Sequence, residues 1–181
     1  VDVSRYQGEI DWTKMHTIYS IYPIKFAFIR STMGTSSLDD TFDENWEGAK
    51  ENNILRGAYH FYRPDENSTL QAQNFISKVK LEKGDLPPVL DIEHLPKTQS
   101  MERLVEGVKN WCTIVEEHYG IKPIIYTSDK YFEDYLNGFS SNVKEIIEKF
   151  KLKSQIRHMA NKDVLLDVLE KFTSPDINLT P

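Results

Sequence analysis

The sequence predicts an α/β fold on a mainly parallel sheet, and three observations predict it. Short apolar segments with strand-like composition recur along the chain. Between them lie longer segments whose apolar residues repeat at helical spacing. The length, 181 residues, suits one domain with a sizeable core. Strand–helix alternation builds parallel sheets, open or closed into a barrel.

Five strands are predicted, at residues 1–3, 25–30, 55–62, 87–93 and 122–127. The helices between them have start and stop signals. Thr41-Phe-Asp-Glu44 has capping-box spacing and predicts a helix to about residue 52. Ser68-Thr-Leu-Gln71 predicts another start of the same kind. From residue 100 to 119, Leu104, Val108, Trp111, Cys112 and Val115 fall on one helical face, and Gly120 suits the C-terminal cap. Cys112 on that face reads as a buried, inert thiol, and a lone cysteine excludes internal disulfides.

After Gly138 the composition changes, and Gly, Trp and Tyr disappear. Val143, Ile146, Ile147 and Phe150 mark one amphipathic helix; Val164, Leu165, Val168, Leu169 and Phe172 mark a second. The chain therefore divides into residues 1–139, most of an α/β domain, and 140–181, a divergent helical tail of the same domain. Closing a barrel takes about eight strands, and only five are predicted.

The formal net charge of -6 argues against nucleic-acid binding, which needs a basic face. No apolar run is long enough to insert into a membrane. The start at Val1-Asp2-Val3, already strand-like, suggests an excised or processed domain with any export signal upstream. There is no G-x-S-x-G elbow, P-loop or G-x-G-x-x-G.

The residues that point to chemistry are in Val89-Leu-Asp-Ile-Glu93. Side chains alternate along a strand, so Asp91 and Glu93 point the same way, their bases about 7 Å apart. The apolar run before them and His94-Leu-Pro after them put the pair at a strand's C-terminal end, where α/β folds build active sites. Glycoside cleavage uses one protonated carboxyl and one anion, and neighbouring carboxyls push each other's pKa values apart. Two exposed acids at a strand end is the competing reading. A divalent-metal site is a third, weakened by the lack of a nearby His-x-His or further Asp cluster.

Asp2 in the first strand is a further candidate, its plainer reading being an acid paired with Arg5 or solvent. Tyr59, His60, Tyr62 and Tyr126 are candidate substrate-binding residues. Tyr59 shares a strand face with Phe61, and His60 shares the other with Tyr62. Core packing competes as the role of His60, and an ordinary rim position as that of Tyr126.

Six segments together resemble family 25 glycoside hydrolases. They are Asp2-Val-Ser-Arg-Tyr-Gln-Gly8, Ile10-Asp-Trp12, Phe26-Ala-Phe-Ile-Arg30, Gly57-Ala-Tyr-His-Phe-Tyr-Arg-Pro64, Gly84-Asp-Leu-Pro-Pro-Val-Leu-Asp-Ile-Glu93 and Gly120-Ile-Lys-Pro-Ile-Ile-Tyr-Thr-Ser128. Order and spacing match over residues 1–139. The resemblance implies a (β/α) barrel and a muramidase that cuts between N-acetylmuramic acid and N-acetylglucosamine in bacterial peptidoglycan. It implies Glu93 as the acid/base, Asp91 as the carboxylate assisting it, and Asp2 as an acid of the same cleft. Carboxyl chemistry of this kind needs no metal or cofactor. A monomer acting outside the cell or in its envelope is expected. Attack by a carboxylate, by water or by the substrate's own acetamido group all remain open.

The tail departs from the family. Two Trp-bearing strands that the family normally places after residue 139 are missing, so the last strands are expected to be altered or absent. Pro175-Asp-Ile-Asn178 faintly resembles the family's closing motif and would make Asp176 a fourth cleft acid; in an irregular tail it reads as a chance match. The alternative function is a non-catalytic or degenerate wall-binding relative with an incomplete cleft. A metal-dependent sugar deacetylase is disfavoured by the missing ligands.

Overall fold

Elements alternate along the chain as a parallel sheet requires. The computed structural model describes residues 1–18, 22–132 and 135. It opens with strand β1 (Asp2–Val3), followed by 3-10 turns at Arg5–Gln7 and Trp12–Lys14. A hairpin of β2 (Thr17–Ile18) and β3 (Tyr22–Pro23) leads into the long strand β4 (Phe26–Met33). A short strand, β5 (Ser37–Leu38), folds back antiparallel on the end of β4. Next come α1 (Phe42–Glu51), β6 (Leu55–Phe61), α2 (Ser68–Lys78), β7 (Val89–Asp91), α3 (Met101–Tyr119), β8 (Ile124–Tyr126) and a helical turn, α4 (Asp129–Tyr131).

The main sheet has the order β1-β4-β6-β7-β8. Every neighbouring pair along it is parallel, so each connection must cross over, and helices supply three of the crossovers. These five strands coincide with the five predicted segments. Among the described residues, β1 and β8 are the two ends of this order. The mostly parallel α/β architecture is as expected. The predicted tail helices and Asp176 lie outside the described residues.

Alternation sorts the strand residues onto two faces. Ile29 pairs with Ala58, and His60 with Leu90, which pairs in turn with Ile125. All five are buried. Helices α2 and α3 cover this face: Phe75 meets the His60 ring edge-on, and Trp111 stacks on it at 5.6 Å. Leu104, Val108, Trp111, Cys112 and Val115 are all buried, so the predicted apolar stripe is the packed one. Burying each large side chain contributes about 1.5–3 kcal/mol.

Cap chemistry differs from expectation at two helix starts. Thr41 is the N-cap of α1 but makes no side-chain cap bond; its hydroxyl donates to Asp39 instead. Asn67, not Ser68, caps α2, accepting from Leu70 N–H. Gln71, expected to close that capping box, turns into the core and bonds Arg63 main chain. The α3 signals hold: Ser100 accepts from Arg103 N–H, and Gly120 ends the helix at φ 68°, where a side chain would be strained.

Candidate active site

The opposite sheet face gathers the polar residues. Register puts Asp2 beside Phe28, Arg30 beside Tyr59, and Asp91 beside Tyr126. Asp91 and Tyr126 are the last residues of the parallel strands β7 and β8, and Asp2 and Arg30 lie on the same face of β1 and β4. The C-terminal ends of such strands are where α/β sheets place ligands.

Asp91 is the last residue of β7 and is buried, with one carboxylate oxygen lacking any hydrogen-bond partner. Burial pushes its carboxyl up to about 8; the charges of Glu93 and Asp2 push the same way, and Arg30 opposes them. A carboxyl so placed holds its proton at neutral pH. Glu93 follows one alternation later: Ile92 is fully buried on the other side, its N–H bonded to Tyr126 carbonyl, and Glu93 is exposed just past the strand. The predicted strand end at 93 thus shortens to 91, and the acids divide between a rigid, buried position and an open one.

Arg30 is the cation of this cluster. Its side chain is buried and donates to Asp39 at 2.8 Å, while the Tyr6 ring lies 4.9 Å from the guanidinium. Tyr6 is 75% exposed. Tyr59 lies half-buried among Arg30, Asp91, Asp2 and Ser4, and burial raises its phenol well above the ordinary value. Sequence reasoning assigned no role to Arg30, Tyr6 or Asp39. A charged residue closing the apolar run Phe26-Ala-Phe-Ile was the available signal for Arg30. Asp39 had none, because Arg5 and Arg30, which it joins, are distant from it in sequence.

His60 and Tyr62, expected as substrate contacts, are not brought to this face. The His60 ring is fully buried between Thr32 Oγ1, at 2.7 Å, and Gln71 Oε1, at 3.1 Å. Tyr62 is 1% exposed beneath α3, where Gly107 leaves room for its hydroxyl. Both sit on the helix-covered face, out of reach of a ligand. Tyr59 and Tyr126 share the face of the acids. Among the described residues there is no group of three or more His, Cys, Asp or Glu side chains suited to hold a metal ion.

A mainly parallel α/β sheet with Asp91 ending β7, Glu93 just past it and Asp2 on β1 is the class that fold and site define. The model for Glycosyl hydrolases family 25 matches residues 1–161, and the chain belongs to that family. This match runs past Phe139, where the motif resemblance stops. The chain is 38% identical over 140 residues to the uncharacterised protein YegX of Escherichia coli K12, covering 77% of this chain and 51% of that one. It is 42% identical over 100 residues to Lysozyme M1 of Streptomyces globisporus, covering 53% and 33% respectively. The structure of a family 25 glycosyl hydrolase from Bacillus anthracis superposes with a TM-score of 0.69 at 33% identity, covering 78% of this chain and 65% of that one. The chain therefore spans about half the length of YegX.

Proposed function

We propose that this chain is a peptidoglycan muramidase, hydrolysing the glycosidic bond between N-acetylmuramic acid and N-acetylglucosamine. The observation that carries the reading is a buried Asp91 at the end of β7 with an exposed Glu93 two residues on. Membership of a glycosyl hydrolase family supports the reaction class. The likeness to Lysozyme M1 supports the substrate.

In this reading Glu93 delivers the proton, because an exposed carboxyl past the strand end can reach a glycosidic oxygen. Asp91 carries the charge that steadies the positive sugar carbon as the bond breaks. Asp2 keeps the site negative. Tyr59 and Tyr126 present ring surface to the sugar. The sheet is the described part of a (β/α) barrel, the protein acts as a monomer outside the cell or in its envelope, and no cofactor takes part.

The test is Glu93→Gln on purified peptidoglycan, followed by release of reducing ends. Turnover should fall about 10²–10⁴-fold with wall binding and thermal unfolding unchanged. Near-normal turnover would remove Glu93 from the chemistry. Wall binding by the parent chain without any bond cleavage would make it a non-catalytic wall-binding protein instead.

A further inference from the structure

We infer that Asp65 is a positioning residue for Glu93, acting through the loop that joins β7 to α3. The inference rests on the proposed role of Glu93 as proton donor. Asp91 belongs to the sheet and is held by the strand ladder: its carbonyl accepts from Tyr62 N–H, and the next residue's N–H bonds Tyr126 carbonyl. Glu93 lies beyond the ladder, on a stretch that regains regular structure only at the N-cap Ser100. Something other than the sheet must therefore set its position.

Asp65 supplies that anchor from the neighbouring connection, between β6 and α2. Its carboxylate accepts hydrogen bonds from three successive main-chain N–H groups: Lys97 at 2.8 Å, Thr98 at 3.0 Å and Gln99 at 3.1 Å. The Thr98 hydroxyl adds a fourth at 2.9 Å. Gln99 also donates its side-chain amide to Pro64 carbonyl, so the two loops are joined by both partners. A carboxylate caught by several N–H groups makes charge-assisted bonds, stronger than neutral ones. The same bonds hold Asp65 down at about 2.

Nearer to Glu93, the loop has two lighter supports. The Tyr131 hydroxyl donates to His94 carbonyl at 2.8 Å, and the His94 ring meets Phe61 edge-on at 5.1 Å. Both act at one residue. Asp65 fixes the far end of the loop, and with the sheet fixing the near end, Glu93 is confined between two anchors. Loss of the far anchor leaves Asp91 in place and leaves the loop that carries Glu93 with only its lighter supports at His94.

This division predicts a selective defect. Cleavage of a wall glycan needs a proton delivered to the leaving oxygen. Cleavage of a soluble N-acetylated glycoside with a dinitrophenolate leaving group needs none. Asp65→Asn should lower kcat on purified peptidoglycan about 10–100-fold with little change in KM, since a misplacement near 1 Å costs rate on that scale. On the dinitrophenyl substrate kcat/KM, which reports release of the dinitrophenolate, should stay within about threefold of the parent, a difference small beside the wall effect. Amide exchange at Lys97, Thr98 and Gln99 should quicken in the same variant. Thr98→Ala, which removes one of the four bonds, should show the same selectivity at smaller amplitude, so the test survives if Asp65→Asn fails to fold.

Equal losses on both substrates would make Asp65 a general structural residue and overturn the inference. So would undiminished wall cleavage. Glu93→Gln serves as the reference. If it shows no preference between the substrates, the proton-donor reading fails. If it is selective and Asp65→Asn is not, only the Asp65 inference fails.

Discussion

Arg30 Nε lies 2.8 Å from Asp39 Oδ2, and neither side chain reaches solvent by more than 7%. Asp39 also accepts from Arg5 N–H at 3.1 Å and from the Thr41 hydroxyl at 2.8 Å. One carboxylate thus joins the turn that follows β1, the cation on β4 and the start of α1. It neutralises Arg30 next to the acid cluster and fixes the chain segment that carries Asp2.

Removing Asp39 should be costly. Asp39→Ala strands a buried guanidinium, and breaking a buried pair in this way costs about 3–5 kcal/mol. Burial alone would raise the Asp39 pKa; the bonds from Arg5, Thr41 and Arg30 outweigh it and leave the carboxyl below its ordinary value. A lowered native pKa gives stability that is present above the unfolded value, about 4, and lost as pH falls through the native one. Urea unfolding at pH 7 and pH 3 measures both effects. A loss under 1 kcal/mol at pH 7 would contradict the pair's importance.

Asp91 has the opposite sign. Its native pKa, about 8, stands above the ordinary carboxyl value. Holding the proton is therefore favourable, and stability from this group is complete below about pH 4 and lost as pH rises through 8. Asp91→Asn removes the charge and should stabilise the fold by a few kcal/mol at pH 8, with little effect at pH 4. Thermal unfolding of parent and variant across pH 4–9 should give curves that meet at the acid end and separate towards the basic end. A constant gap would show that the carboxyl is not strained. The same variant should lose turnover far more than wall binding, because its charge matters most in the transition state.

His60 provides a third, separable effect. Burial pushes its imidazole down to about 4, against the smaller contribution of Gln71. The ring is neutral when folded, so its contribution is present above about pH 6.5 and lost as pH falls towards 4. His60→Ala leaves a cavity against Trp111 and deprives Thr32 and Gln71 of their partner, at about 2–4 kcal/mol. Folded enzyme should keep its turnover, in contrast to Glu93→Gln. Chemical unfolding together with kcat checks this; a turnover loss near that of Glu93→Gln would place His60 in the chemistry.

Much of the fold was legible because its signals are local. Short apolar runs marked the strands, the 104–115 stripe marked the face of α3, and Gly120 marked its end. Short-range rivals of similar energy were less legible: Asn67 takes the cap expected at Ser68, and the Thr41 hydroxyl turns to Asp39. Both alternatives lie within a residue or two, so spacing cannot rank them.

The sequence by itself determined that acids end the fourth parallel strand and that Tyr59 and His60 face opposite ways, since pleating follows from chain order. Tertiary structure decided which face would be covered. Once α2 and α3 packed their apolar stripes over His60 and Leu90, that side became core, taking Tyr62 with it and leaving Asp91, Tyr59 and Tyr126 on the other. It also decided the charges. Burial raises the Asp91 carboxyl first, with the charges of Glu93 and the sequence-distant Asp2 adding to it, and Arg30 is answered by Asp39. Electrostatic interaction depends on distance and solvent exposure, and chain order encodes neither directly.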